Sequence, residues 1–203
     1  TLQSHMEAMI DGIWEADTDR LKSCHEEIMR LTRLVGDLGK LAKYESENLI
    51  LNKTEFEFSE LIKRITQNFE NEFRSRNIDL LLNISQQNIF ADKDKVSQVV
   101  INLVSNALKY TQNGGEVRIN LTADKDNVEF RIIDSGAGIT KEDLPHIFER
   151  FYRADKSRNR LTGGAGIGLT ITKSIVEAHK GSIEVQSELN KGTTFIVRLL
   201  KSK

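Results

Sequence analysis

The spacing of hydrophobic positions changes near residue 50 and divides the chain into two unlike regions. From Cys24 the apolar residues run Cys24, Ile28, Leu31, Val35, Leu38 and Ala42, in alternating steps of four and three. That is a heptad seam, the pattern of helices that pack along their length. A shorter stretch, Leu2, Met6, Met9 and Ile13, repeats the alternation, and Trp14-Glu15-Ala16-Asp17-Thr18 lies between the two. Asp17 or Thr18 can cap the second helix by accepting a bond from a free backbone N–H. Residues 1–50 are therefore predicted to form a helical hairpin whose first arm is cut short. A narrow stripe on two helices makes no independent core, so a second copy of the hairpin is expected against it. The alternative is that the seam packs on the chain's own globular part.

Beyond residue 50 the period shortens and varies. Glu55-Phe56-Glu57-Phe58 alternates like a strand and precedes a helix from about Ser59. Strand is predicted at Ile78–Ile84, amphipathic helix at Lys95–Tyr110, and a hairpin from Val117–Leu121 and Val128–Ile133. A helix at Gly166–Lys180 and closing strands at Ser182–Val185 and Thr194–Leu199, around the Lys191-Gly192 turn, complete the pattern. Grouped strands with helices beside them indicate an α+β sandwich over residues 51–203, not alternating βαβ units. No internal repeat or low-complexity stretch stands out.

Composition narrows the partners. A chain of 203 residues suits one full domain and a smaller element. A formal net charge of -1 gives no generic attraction to nucleic acid or anionic membrane, so any phosphate binding must come from local geometry. The single cysteine, Cys24, allows no internal disulfide and fits a reducing compartment. No apolar run approaches the ~20 residues that a membrane span requires. The sequons at Asn52, Asn83 and Asn120 are read as chance matches.

Four short stretches can carry chemistry. Asn102 and Asn106, four apart in Asn102-Leu103-Val104-Ser105-Asn106-Ala107-Leu108-Lys109-Tyr110, project from one helix face. Two amides there are poor core residues but suit a hard cation and phosphate oxygens. Lys109 adds a positive charge nearby. Asp134-Ser135-Gly136-Ala137-Gly138 follows an apolar strand, where a carboxylate can accept from an exocyclic amine while glycine backbone packs on a flat ring. Gly163-Gly164-Ala165-Gly166-Ile167-Gly168-Leu169 leads into a helix, so its N–H groups can approach an anion. It is neither a dinucleotide fingerprint nor a P-loop, which would need G-x-G-x-x-G after a strand or a terminal Gly-Lys-Ser/Thr. Between these lies Phe148-Glu149-Arg150-Phe151-Tyr152-Arg153 and then a basic stretch to Arg160, a candidate mobile cover. Each has a plainer reading, as solvated helix face, turn or surface loop.

Taken in order, Asn-x-x-x-Asn-Ala-x-Lys-Tyr, Asp-x-Gly-x-Gly, Phe-x-x-Phe-Tyr-Arg, Gly-x-Gly-x-Gly-Leu and Lys-Gly-Thr-Thr-Phe resemble the catalytic domain of sensor histidine kinases. The resemblance spans roughly residues 50–200, and the helices before it look like the end of that family's dimerisation and phosphotransfer hairpin. It implies a Bergerat-type α/β sandwich that binds ATP and Mg²⁺. By position, Asn106 would coordinate Mg²⁺ with Asn102 beside the metal and phosphates, Lys109 would contact phosphate, and Tyr110 the nucleotide. Asp134 would accept from the adenine amine, with Gly136 and Gly138 lining that pocket. Phe148 and Phe151 would anchor a lid, and Arg153 would reach the γ-phosphate. Gly164, Gly166 and Gly168, followed by Leu169, would close over the phosphates, and Thr194 would sit near the adenine end.

The family's acceptor histidine lies in a His-Glu/Asp-x-x-Thr/Asn-Pro stretch that this chain lacks, and the sequence is expected to begin just after it. His5, His25, His146 and His179 are read as surface or local packing residues. The resemblance further implies a homodimer through residues 1–50 and a response-regulator receiver domain as partner. It implies a cytoplasmic portion of a membrane-anchored bacterial sensor, this fragment itself touching neither membrane nor nucleic acid. Two rivals share some features. A hydrolytic ATPase of the same superfamily usually carries a carboxylate base where Asn102 stands, and an amide cannot take a proton. A non-catalytic dimerising module would need a degenerate nucleotide site.

Overall fold

The computed structural model describes residues 2–45, 50–153 and 166–201. The elements run α1 (Leu2–Ile10), α2 (Thr18–Glu45), β1 (Lys53–Glu57), α3 (Phe58–Ser75), β2 (Asp79–Ile84), β3 (Asn88–Asp92), α4 (Lys93–Tyr110), β4 (Glu116–Ala123), β5 (Asn127–Asp134), α5 (Gly168–Ala178), β6 (Ser182–Glu188) and β7 (Gly192–Leu200), with a 3-10 turn at Leu144–His146. The class is α+β, as the grouped strands indicate.

One mixed sheet forms the centre, in the order β2-β4-β5-β7-β6. β2 runs parallel to β4, reached through a crossover that contains α4, and the remaining pairs are antiparallel. Strict alternation along β5 buries Val128, Phe130, Ile132 and Asp134. Opposite them on β7 stand Leu199, Val197, Phe195 and Thr193. Against this face lie Phe58, Leu61, Ile62, Ile65 and Phe73 of α3, Val96, Val99, Val100, Leu103, Val104, Ala107 and Leu108 of α4, and Ile171, Ile175 and Val176 of α5. Each fully buried aliphatic or Phe side chain here stabilises the fold by roughly 1.5–3 kcal/mol. The other face is polar. Arg198 bridges Glu129 and Glu184 across three strands over Ile196, which stays 2% exposed beneath these long side chains.

Most element ends shift by one to three residues; two shifts and one unpredicted strand have a clear physical cause. Phe58 opens α3 instead of closing a strand, because its ring enters the core beside Phe130. The last helix begins at Gly168, since Gly166 bends the chain with φ +74°. Asn88–Asp92 is a strand that periodicity missed, having only Ile89 and Ala91 to bury; it pairs with β1 in a small separate sheet.

Asp92 ends that strand and caps α4, its Oδ1 accepting from the N–H groups of Asp94 and Lys95 at 3.1 Å each. Its Oδ2 accepts from Asn52 N–H, and its own N–H donates to His179 Nε2 at 3.0 Å. His179 is buried, with Nδ1 2.8 Å from the Ile175 carbonyl.

In the helical region Asp17 caps α2, accepting from Arg20 N–H at 2.8 Å. Trp14 closes the turn between Arg20, 4.7 Å over its ring, and the edge of His5. α2 meets both α1 and α5, and Cys24 is buried. The next seam residues, Ile28, Leu31 and Val35, are exposed; the side chains of Leu38 and Ala42 lie outside the described ones.

Candidate functional site

Helix α4 places the polar motif on the open side of a buried stripe. Val99, Val100, Leu103, Val104 and Ala107 face the core, which turns Asn102 and Asn106 outward, half-buried and one turn apart. Their surroundings differ. Asn102 Nδ2 donates to the Gly168 carbonyl at 3.0 Å and to Thr172 Oγ1 at 3.3 Å, while Oδ1 accepts from Gln98 Nε2 at 2.8 Å. Both bonds from Nδ2 thus tie α4 to α5, at its first residue and one turn further on. Asn106 has no side-chain hydrogen bond among the described residues and remains able to take an external ligand. Lys109 and Tyr110 follow at the helix end, both exposed, with Lys109 Nζ 4.9 Å from the Tyr110 ring.

Asp134 occupies the last position of β5, only 7% exposed. Burial pushes its carboxyl above the ordinary aspartate range, partly offset by bonds from the backbone N–H groups of Gly136, at 2.9 Å, and Thr193. The following loop is pressed between α4 and the β6–β7 turn. Ala137 N–H donates to the Tyr110 carbonyl at 3.3 Å, and Asn190 N–H to the Ala137 carbonyl at 2.7 Å. A Cβ on Gly136 would overlap the Tyr110 carbonyl, and one on Gly138, at φ +67°, would overlap the Glu188 carbonyl. Only glycine fits at either place.

The stretch after this loop anchors the candidate cover. Phe148 packs on the core, its carbonyl accepts from Thr170 Oγ1 at 3.0 Å, and Lys173 lies 5.7 Å from its ring. Phe151 does not share that anchoring role: it is half exposed, at φ +60°. Its neighbour Tyr152 is tied down instead, its hydroxyl donating to Asp143 Oδ1 at 2.5 Å and its ring near His146. The hydroxyls of Tyr152 and Thr140 hold the Asp143 carboxyl below its usual range. Arg153 is half-buried. Gly164 and the basic stretch to Arg160 lie outside the described residues. Gly166 sits where a Cβ would come within 2.7 Å of the Tyr152 carbonyl, so the two ends of that segment touch. Gly168 then opens α5, against Asn102, and Leu169 packs on the core.

Thr194 is one residue out of place for an adenine contact. It pairs with Ile133 and faces away from Asp134, whereas Thr193, buried at 7%, stands directly opposite the aspartate. The period of two puts neighbours on opposite faces, and which threonine faces inward follows from the β5–β7 register, which sequence alone does not supply. Gln98 and Thr172 were also missed; only the spacing of four between Gln98 and Asn102 hinted at the first. A cavity of about 340 Å³ on α2, lined by Thr18, Leu21, Lys22, His25 and Glu26, involves none of these residues.

The motif residues therefore lie along one line. Asn102, Asn106 and Tyr110 succeed one another on α4, over about 12 Å at a rise of ~1.5 Å per residue. The glycine-led start of α5 meets the line at Asn102, and the Asp134 loop meets it at Tyr110. One end offers helix N–H groups and amides; the other offers a buried carboxylate and bare backbone.

Residues 91–203 match the family described as histidine kinase-, DNA gyrase B-, and HSP90-like ATPase. Sensor protein SrrB of Staphylococcus aureus is 36% identical over 205 residues, covering 98% of this chain and 35% of its own length. The chain thus spans about a third of that relative. Among solved structures, Acinetobacter baumannii histidine kinase AdeS is similar over 100% of this chain and 94% of its own, with 26% identity and a TM-score of 0.77. Histidine kinase ThkA, in complex with response regulator protein TrrA, is similar over 99% of this chain and 57% of its own, with 26% identity and a TM-score of 0.76. The shared ATPase domain, the identity across nearly the whole chain and the common fold agree: this chain belongs to the sensor histidine kinases.

Proposed function

We propose that this chain binds ATP with Mg²⁺ along α4 and serves as the phosphoryl-donating half of a two-component sensor. The observation that carries the reading is the polarity of the site. Amides and a helix N-terminus lie at one end of an ~12 Å line. A buried carboxylate with its glycine loop lies at the other.

Phosphoryl transfer needs positioning and charge stabilisation more than covalent help from the protein. Asn106, whose amide oxygen has no competing protein partner among the described residues, would hold the metal, which neutralises phosphate charge when bound. Lys109 and Arg153 would supply further positive charge, Arg153 from the base of the cover. Gly166 and the N–H groups at Gly168 and Leu169 would approach the phosphates. Asp134 would accept from the adenine amine, with Gly136 and Gly138 giving backbone contact to the ring and Thr193 beside it. Tyr110 and the half-exposed Phe151 offer aromatic surface to the nucleotide. Asn102 would stabilise the phosphate end by fixing α5 to α4, and its amide offers no base for activating water. That disfavours efficient hydrolysis.

The phosphoryl group would pass to a histidine outside this chain and then to an aspartate on a response-regulator receiver domain. The solved assembly of ThkA with TrrA supports that kind of partner. The exposed Ile28, Leu31 and Val35 support a homodimer through residues 1–50. No described helix is long and apolar enough to cross a membrane. The match to sensor proteins supports a cytoplasmic portion of a membrane-anchored sensor.

Calorimetric titration with ADP and a non-hydrolysable ATP analogue, with and without Mg²⁺, tests the reading on wild type and Asn106→Ala. Mg²⁺-strengthened binding that the variant loses is expected. No binding by wild type at millimolar nucleotide overturns it.

A further inference from the structure

We infer that Arg76, at the end of α3 and outside every motif, is a positioning residue for base recognition. Its guanidinium reaches across to the C-terminus of α4. Nη1 donates to the Leu108 carbonyl, Nη2 donates to the Thr111 carbonyl at 2.7 Å, and Nε lies 3.4 Å from Asn113 Oδ1. The Arg76 carbonyl in turn accepts from Gly114 N–H at 3.3 Å. The last carbonyls of a helix have no partner within it, and here a planar fork from another helix supplies one.

The location gives this cap its consequence. Between the two carbonyls that Arg76 grips lies Tyr110, whose own carbonyl accepts from Ala137 N–H. The same carbonyl is the atom that leaves no room for a Cβ on Gly136. Thr111 is buried, and its hydroxyl and N–H both close on the Ala107 carbonyl, so this turn is rigid once the guanidinium is in place. The loop that presents Asp134, Gly136 and Gly138 therefore hangs on a helix end whose position Arg76 sets. Without the fork, two carbonyls in a partly buried turn lose their donor, the turn loosens, and Tyr110 and the loop move relative to Asp134. Lysine keeps the charge but not the preorganised planar fork, so it holds two carbonyls three residues apart less firmly.

This inference rests on the proposed adenine site, and its test separates the two. ADP and inosine diphosphate differ at the exocyclic amine that Asp134 would recognise. Their affinities are measured by calorimetry for wild type, Arg76→Met, Arg76→Lys and Asp134→Asn, with folding checked by circular dichroism. Both Arg76 variants are expected to lose about tenfold in ADP affinity, the scale of a lost charged hydrogen bond. Inosine diphosphate affinity should change less than about twofold, so that base preference collapses while the phosphate end is unaffected. Equal losses for both nucleotides, or none, overturn the role of Arg76. Should the methionine variant not fold, the lysine variant decides by the same comparison. An undiminished ADP preference in Asp134→Asn would instead remove the adenine-site reading, whatever the Arg76 variants show.

Discussion

Asn102 Nδ2 lies 3.0 Å from the carbonyl oxygen of Gly168, and this one bond joins the middle of α4 to the first residue of α5. The two asparagines of the motif, alike in sequence, therefore have different duties. Asn102 fastens two helices, and Asn106 presents an amide to whatever enters the site.

Replacing each with alanine should separate those duties. Asn102→Ala removes the donor to Thr172 Oγ1 and leaves the Thr172 hydroxyl as the side-chain donor to the Gly168 carbonyl, so the α4–α5 tie is lost and the fold should be destabilised by about 1–3 kcal/mol. Asn106→Ala should change stability by no more than about 0.5 kcal/mol. It should reduce Mg²⁺-dependent ADP affinity by at least about tenfold, the least expected when a metal site is disturbed. Urea unfolding beside calorimetry measures both; equal stability losses would contradict the division.

Gly136→Ala should abolish adenine nucleotide binding, because the added methyl overlaps the Tyr110 carbonyl at the floor of the base end. Gly192→Ala meets backbone too, at the Asp134 carbonyl, and does so at φ +103° in the first residue of β7. That variant should lose both binding and thermal stability. A Gly192→Ala protein that melts like wild type would contradict the register assigned to β5 and β7.

His179 should make stability fall in mild acid. Burial holds its imidazole below the ordinary histidine range, against the bond to the Ile175 carbonyl, and Nε2 must stay unprotonated to accept from Asp92 N–H. Lys53 opposes protonation and Asp92 favours it. The folded state then binds fewer protons than the unfolded one near and below pH ~6.5. The stabilisation is present above that pH and is lost as pH falls toward the depressed folded value. Urea unfolding from pH 8 to pH 5 should show the decline in wild type and a flatter profile in His179→Gln. Parallel profiles would exclude His179 as the source.

Charge placed on the exposed seam should act on assembly alone. Ile28→Asp with Val35→Asp is expected to convert a dimer to a monomer in sedimentation, while ADP affinity changes by less than about twofold. A wild-type chain that sediments as a monomer at high concentration would remove the dimer interface from this chain.

Much of the geometry of the candidate site could be read from the chain because its signals are local. The spacing of four that puts Asn102 and Asn106 on one face, the aspartate closing an apolar run, and the glycines before α5 depend on helix and strand periods that a few residues set. Asp17 as a cap and the α+β grouping follow for the same reason. Boundaries at Phe58 and Gly166 were misjudged where tertiary packing or a backbone bend overrode the local period, and β3 had too few apolar residues to announce itself.

What only the tertiary structure decided are relations between residues distant in sequence. Whether Thr193 or Thr194 faces Asp134 depends on the pairing of β5 with β7, and a shift of one residue would exchange them. The bond from Asn102 to Gly168, the seat of Tyr152 on Asp143, and the reach of Arg76 to the end of α4 each join elements that no spacing rule connects. Periodicity assigns a side chain to a face, because backbone geometry repeats along an element; what stands opposite that face is chosen by how the elements pack, and that choice is made by the whole core at once.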